Sequence, residues 1–253
     1  MQKKYIIVCA GGFGREIFHT LLCSLVKGTK KGAIAGFLDD DPGALKNLAD
    51  RYPPILGSVN DYSPQPNELV FIAAGTPALR WKLSKLLEQK TGDFATVIHP
   101  DATLSENVSV GQGSHVGWHS FISGDVTIGR FVSLNCNLTV GHDAMIDDFV
   151  EVGPGTAIGG HCHIEEGVHI APNCTIAPGV RVGAWSKISA NTAVMRDVPP
   201  CSYVIGVPGV VHRDFFTRPL QSINSKTGSV VVADISSHIT AMRVSARGKL
   251  EHF

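Results

Sequence analysis

The sequence predicts two architectures in tandem. An α/β unit with a parallel sheet occupies residues 1–95, and an all-β parallel solenoid occupies 96–211; a C-terminal extension, 212–253, carries no structural assignment. Three observations predict this. Apolar runs alternate with amphipathic stretches through the first ninety residues. From Ile98 to about Val198 an aliphatic residue then recurs at every sixth position. Glycine is abundant (27), whereas aromatic residues make up only 7%, which fits a tightly wound repeat better than a helical globule.

In the α/β unit, Tyr5 to Cys9 is a short apolar run that leads into Ala10-Gly11-Gly12-Phe13-Gly14, and an amphipathic stretch follows to about Val26. That order predicts strand, glycine turn and helix. A second strand is predicted over Ala33 to Leu38, ending in Asp39-Asp40-Asp41. A third is predicted over Leu69 to Ala74, ending in Gly75-Thr76-Pro77, with a helix from Ala78 to about Gln89. Alternating strands and helices predict a parallel sheet, and ligands of such sheets sit at the carboxyl ends of the strands. Glycines there let a phosphate approach the backbone at the positive end of the following helix, and an acidic cluster about twenty-five residues on can accept hydrogen bonds from a ribose or a base. The turn is not GxGxxG, and glycine-rich turns of this kind also occur without a ligand. A nicotinamide dehydrogenase fits poorly, because only half of a dinucleotide-binding unit is present.

The repeat then takes over. Ile98, Leu104, Val110, Val116, Ile122, Ile128, Leu134 and Val140 open successive hexads, and the series runs on through Ile146, Val152, Ile158, Ile164, Ile170, Ile176, Val182, Ile188 and Val194. The fifth position is small or β-branched, as at Ala102, Val108, Ser114, Ser120 and Val126. A fixed short period signals a solenoid, whose single coil cannot bury its apolar side without neighbours. Three hexads close one triangular coil of eighteen residues, so seventeen hexads give between five and six coils. A β-sandwich would instead show turn signals every ~8–12 residues and insertions between strands. Beyond the repeat, Ser229 to Ile235 (SVVVADI) reads as a strand.

Composition excludes several function classes. Formal net charge is zero and only 17% of residues are charged, so there is no basic field for nucleic acid or anionic lipid. No run approaches the ~20 apolar residues of a membrane helix, and the apolar run near the N-terminus stops too early for a signal peptide. Six cysteines show no CxxC or disulfide-type spacing; Cys162 and Cys174 fall on inward fifth positions and read as packing residues of a protein in a reducing cytoplasm.

The coil length nominates a base. Positions eighteen apart stack on neighbouring coils, so His142, third in the hexad VGHDAM, lies between Gly124 and Gly160. A histidine flanked by glycines projects into cleared space beside backbone amides, as a general base next to an oxyanion donor requires. A solvated surface histidine is the ordinary alternative, since the chain has eleven. Cys136 stacks between Trp118 and Pro154 on another face and is not a nucleophile in this reading.

Five motifs carry a family resemblance: CAGGFGRE near the start, GFLDDD, ATVIHPDA, VGHDAMIDDFV and AVMRDVPPCSYVIGVPG, which together span residues 4 to about 211. In their combination the chain resembles the NeuD/PglD family of bacterial sugar acetyltransferases. These are trimeric enzymes in which a Rossmann-like domain precedes a left-handed parallel β-helix. The resemblance implies the left hand of the solenoid, acetyl-CoA as co-substrate without a metal, and active sites between subunits of a homotrimer. It implies His142 as base, Asp143 as the acid that orients it, and Gly160 as the residue whose amide lies near the thioester carbonyl. Gly11, Gly12, Phe13, Gly14, Asp39, Asp40 and Gly75 match the region that holds the sugar or nucleotide sugar. For CoA it points to Gly160, Ala177, Arg181, Lys187, Arg196 and Arg213, and the phosphate partner among the basic residues stays open. Relatives usually end the last coil with Pro-Ala-Lys/Arg, where this chain has Pro208-Gly209-Val210-Val211-His212-Arg213.

The expected activity is N-acetylation of a nucleotide-linked amino sugar, with a 4-amino-4,6-dideoxy sugar favoured. O-acetylation of a sugar such as sialic acid is the alternative within the same family. A scaffold or nucleotide-sugar sensor built on an inactive transferase is a third reading, against which the intact His-Asp pair argues. A γ-class carbonic anhydrase uses a similar β-helix, but its H-x4-H ligand spacing does not match His115/His119 or His161/His163. Lipid A acyltransferases share the H-D-x-x-I motif but lack the glycine-rich front domain.

Overall fold

The computed structural model describes residues 2–90, 93–213 and 215, together with four two-residue strands between 222 and 251. Residues 1–216 form one compact unit, and residues 217–253 form a second.

The first unit opens with an α/β layer: β1 (Lys4–Val8), α1 (Gly12–Val26), β2 (Ala33–Leu38), β3 (Ile55–Gly57), β4 (Glu68–Ile72) and α2 (Pro77–Leu87). The four strands are parallel, in the order β3-β2-β1-β4. Ile6, Ile7 and Val8 are fully buried, as are Phe37, Leu38, Val70 and Ile72. Such apolar runs suit strands covered on both faces. The second strand and α1 follow the sequence expectation, whereas β4 starts and ends earlier than Leu69 to Ala74. β3 was not anticipated: it is a three-residue edge strand with no alternation to betray it. Gly14 lets α1 close onto β1, because a Cβ there would lie 1.9 Å from the Cys9 carbonyl oxygen.

From Val97 onward the chain winds through three faces. Seven strands from Val97–Ile98 to Tyr203–Ile205 stack in parallel on the first face, six from Thr103–Leu104 to Ala193–Val194 on the second, and five from Ser109–Val110 to Arg181–Val182 on the third. Registers such as Thr127↔Met145 and Ser133↔Glu151 show the eighteen-residue coil. The fold is a left-handed parallel β-helix. First- and fifth-position side chains fill its interior; Val116, Ile122, Leu134, Ile164 and Ile170 are fully or almost fully buried, and Cys162 and Cys174 pack among them. The fourth position of each hexad turns the corner in the left-handed backbone region, from Asn107 (φ 59°) through Asp143 (φ 58°) to Asn191 (φ 57°). Asn and Asp tolerate that region, but Phe131, Phe149 and Trp185 also adopt it, at roughly 1–2 kcal/mol each.

The repeat shortens once. Val182 bridges Val198, and Lys187 pairs with Tyr203, sixteen residues on instead of eighteen. The Asp197 carboxylate accepts the Arg181 N–H at 2.9 Å, where an intact coil would offer a backbone carbonyl. Tyr203–Ile205 then folds back antiparallel on Val210–His212, and this hairpin ends the first face.

The α/β layer lies on the first face of the solenoid and its flanking corners. Arg80, from α2, is 1% exposed. Its Nε donates to the Phe131 carbonyl (2.7 Å), Nη1 to the Ala74 carbonyl (2.7 Å) and the Glu151 carboxylate (2.8 Å), and Nη2 to the Phe149 and Val150 carbonyls (3.3 and 3.2 Å). All five donors of a guanidinium are thereby matched. Phe94 packs edge-on against Phe131, and Phe13 against His115. Burial, reinforced by the Arg80 charge, pushes the His115 pKa down to about 3, so the ring is neutral.

In the second unit, Ser222–Ile223 pairs antiparallel with Val230–Val231, and Arg243–Val244 with Leu250–Glu251. The strand expected over Ser229 to Ile235 is described only at Val230–Val231; its remainder lies outside the described residues.

Candidate active site

His142 stands on the corner between the second and third faces, opposite the face that carries the α/β layer. The left-handed turn at Asp143 swings its carboxylate back to the imidazole, and His142 Nδ1 lies 2.7 Å from Asp143 Oδ2. An ionised carboxylate only accepts, so the neutral ring carries its proton on Nδ1 and leaves Nε2 with a free lone pair. The ring lies over Gly160: a Cβ at that position would be 2.9 Å from Nε2 and 3.0 Å from Cε1. On the other side, a Cβ at Gly124 would meet nothing nearer than the Glu106 carbonyl at 3.6 Å. Both residues of the dyad are well exposed (60% and 48%), so an acceptor can reach the ring.

A third residue joins them. His161 lies eighteen positions after Asp143 and therefore one coil on at the same corner. Its Nδ1 is 3.9 Å from Asp143 Oδ2, and its ring stands perpendicular to that of His142 at 4.8 Å between centroids. The eighteen-residue spacing that places His142 between Gly124 and Gly160 also places Asp143 beneath His161, so the third residue is legible in the coil length.

The residues expected to hold CoA separate by face. Gly160, Ala177 and Arg196 follow His142 along the same corner. Arg196 is exposed and three coils on, about 14 Å away at the ~4.8 Å inter-strand spacing. Arg181 is on the neighbouring third face, where its Nε donates to the Glu165 carboxylate. Lys187 sits half-buried on the first face, with its pKa lowered by burial, and Arg213 follows the terminal hairpin.

The residues expected at the substrate end gather at the carboxyl edge of the small sheet. Asp39 Oδ2 accepts the Ala10 N–H at 2.8 Å and so braces the glycine turn, while Asp40 Oδ1 accepts the Val59 N–H at 3.1 Å. A Cβ at Gly11, Gly12 or Gly75 would meet nothing within 4 Å. Packing thus explains Gly14 but not Gly11 and Gly12, which leave the first turn of α1 unobstructed; no side chain caps that helix. Phe13 is turned inward against His115 and Phe71. Cys9, beside the turn, is held as a thiol: burial first, then Asp39 and Asp40, raise its pKa to about 11.

A left-handed β-helix with an exposed His-Asp dyad over a glycine, preceded by a small parallel α/β layer, defines a hexapeptide-repeat acyltransferase. Residues 4–87 match the PglD N-terminal domain, and residues 161–196 match six repeats of the bacterial transferase hexapeptide. Perosamine N-acetyltransferase from Caulobacter crescentus, solved as a histidine-to-asparagine variant with CoA and GDP-perosamine, is 26% identical with a TM-score of 0.74, covering 83% of this chain and 97% of that one. The acetyltransferase domain of PglB from Neisseria gonorrhoeae, in complex with acetyl coenzyme A, is 25% identical with a TM-score of 0.74 over 83% and 99%. WeeI from Acinetobacter baumannii is 25% identical with a TM-score of 0.73 over 83% and 100%. The chain thus joins a PglD-type N-terminal domain to hexapeptide repeats, and it is similar to acetyltransferases of this build over 83% of its length. Among the described residues, no helix is long and apolar enough to cross a membrane.

Proposed function

We propose that this protein transfers the acetyl group of acetyl-CoA to the amine of a nucleotide-linked amino sugar, with His142 as general base. The observation that carries this reading is the 2.7 Å contact between His142 Nδ1 and Asp143 Oδ2, which leaves Nε2 unengaged over Gly160. The acceptor amine attacks the thioester carbonyl carbon as Nε2 takes its proton. The tetrahedral intermediate then collapses with cleavage of the C–S bond, releasing CoA and an N-acetyl sugar. Asp143 stabilises the imidazolium, and the Gly160 amide is the donor assigned to the oxyanion. No acyl-enzyme is required. The nucleotide's phosphates are assigned to the open first turn of α1 at Gly11 and Gly12, where backbone N–H groups and the helix dipole favour an anion. The amino sugar is preferred to a hydroxyl acceptor because the Caulobacter relative holds GDP-perosamine.

The same reading includes a homotrimer with composite sites. Within one chain the glycine turn and His142 lie on opposite sides of the prism, so an acceptor held by one copy reaches the base of another. The second face is the one suited to self-association. Its outward residues are Thr103, Phe121, Thr139, Ala157, Thr175 and Ala193, all uncharged. The first face is covered, and the third carries the His163–Asp147 and Arg181–Glu165 pairs. His142 borders the second face at one corner, and the exposed Trp118 borders it at the other. Incubation with acetyl-CoA and a panel of nucleotide-linked amino and hydroxy sugars, read by mass spectrometry of the products, tests the activity. Acetylation of an amino sugar on nitrogen supports the reading, and acetylation confined to hydroxyls overturns it. Ala157→Glu should dissociate the assembly in light scattering; an unchanged mass would remove the second face from the interface.

A further inference from the structure

We propose that His142, Asp143 and His161 form an open site for one divalent cation of the zinc class, and that its occupancy switches the base off. A nitrogen of each imidazole and an Asp143 oxygen all lie within 4.8 Å of one another, the one such grouping among the described residues. The two separations measured from Asp143 Oδ2 are 2.7 Å to His142 Nδ1 and 3.9 Å to His161 Nδ1. Bonds of about 2.0–2.2 Å in a tetrahedral zinc site place ligand atoms about 3.4 Å apart, and the observed separations bracket that value. The backbone beneath is fixed: His161 N–H donates to the His142 carbonyl at 2.8 Å, and both Asp143 and His161 hold the left-handed corner conformation. The side chains above are free to adjust, with His142 60% and His161 65% exposed. Two imidazoles and a carboxylate select zinc, nickel or copper over magnesium and calcium, and the open side leaves room for water as a fourth ligand.

Occupancy reverses the chemistry of His142. A cation on Nδ1 takes the lone pair of that atom and moves the single proton of the neutral ring to Nε2. Nε2 then becomes a donor with no lone pair for the acceptor's proton, and the Asp143 contact that sets the working tautomer is lost. This effect on turnover rests on the reading of His142 as base; binding of the cation does not.

The test titrates metal-free, full-length protein with zinc chloride by calorimetry, beside His161→Asn. Product formation is read by mass spectrometry for each protein with and without zinc, since zinc also binds the thiol of released CoA. One zinc per chain should bind, and His161→Asn should weaken binding at least about tenfold, since loss of even an outer-shell partner costs 10–100-fold. Saturating zinc should lower wild-type turnover at least about tenfold, EDTA should restore it, and magnesium should have no effect. At the same zinc concentration the ratio of turnover with and without metal should stay near one for His161→Asn. Absence of a binding isotherm, or equal binding by the variant, overturns the site. Binding at full turnover overturns the switch. If the metal-free protein acetylates nothing, the proposed function fails, while the isotherms still decide whether the site exists.

Discussion

Gly160→Ala is the sharpest perturbation this geometry offers. The added methyl would lie 2.9 Å from His142 Nε2, 3.0 Å from Cε1 and 3.2 Å from Cδ2. Ordinary contact begins at about 3.5 Å, so the ring must retreat by about half an ångström. The backbone is not the obstacle, because the clash is with a side chain that is more than half exposed. The variant should therefore fold normally and fail catalytically. A misplacement of about 1 Å can cost about 100-fold; for half that displacement, kcat should fall about 10- to 100-fold. Gly124→Ala is the matched control, one coil away in the other direction, where the nearest atom is 3.6 Å from the new methyl. Steady-state kinetics by product mass spectrometry, with urea unfolding of all three proteins, reads both effects. If Gly160→Ala turns over within twofold of Gly124→Ala, the ring does not work from where it lies.

Arg80→Met strands the Glu151 carboxylate and should cost about 3–5 kcal/mol in urea unfolding, as broken buried pairs do; Glu151→Leu added to it should recover part of the loss. His115 has a native pKa of about 3 against 6.5 unfolded, so the native state binds fewer protons between those values. Its contribution is complete above pH 6.5 and is lost as pH falls toward 3, with a slope of up to about 1.4 kcal/mol per pH unit; His115→Gln should flatten the acid limb of stability by that amount. Arg196→Ala should raise the acetyl-CoA KM about tenfold with kcat nearly unchanged, the pattern of lost uniform binding, and Lys187→Ala should not. Equal effects from both would mean that CoA does not follow the His142 corner.

The parts legible in the sequence were those with a period. Hexads gave the solenoid and its coil length, and coil length gave the cleared column of Gly124, His142 and Gly160, because eighteen-residue stacking is a rule that arithmetic can apply. Handedness was not in the spacing; the motifs implied it by resemblance. The left-handed corners at Phe131, Phe149 and Trp185 were hidden because their residue types argue against that backbone; Phe131 stacks on Phe149 at 5.3 Å, and the Trp185 ring lies over Gly167. The shortened last coil is hidden because Val198 keeps an apolar residue at the expected fifth position after Val194 while it bridges Val182. Arg80 gives no signal in the sequence, since nothing local shows that four carbonyls and a carboxylate wait for it. Among the CoA candidates, Lys187 and Arg196 are both basic, but Lys187 lies on the first face and Arg196 on the His142 corner, a distinction that appears only when the hexad count is carried round the triangle.

The central claim is that the outward nitrogen of His142 takes a proton from the acceptor during direct transfer. Single-turnover and steady-state acetylation by His142→Ala, at saturating acetyl-CoA and with the acceptor that the wild type uses best, test it most directly. Loss of the base should lower kcat by at least ~100-fold while the acetyl-CoA KM changes little, with no acetylated protein detected at any time. A reduction below threefold, or an acetylated enzyme that forms and decays at the rate of turnover, would place the chemistry elsewhere.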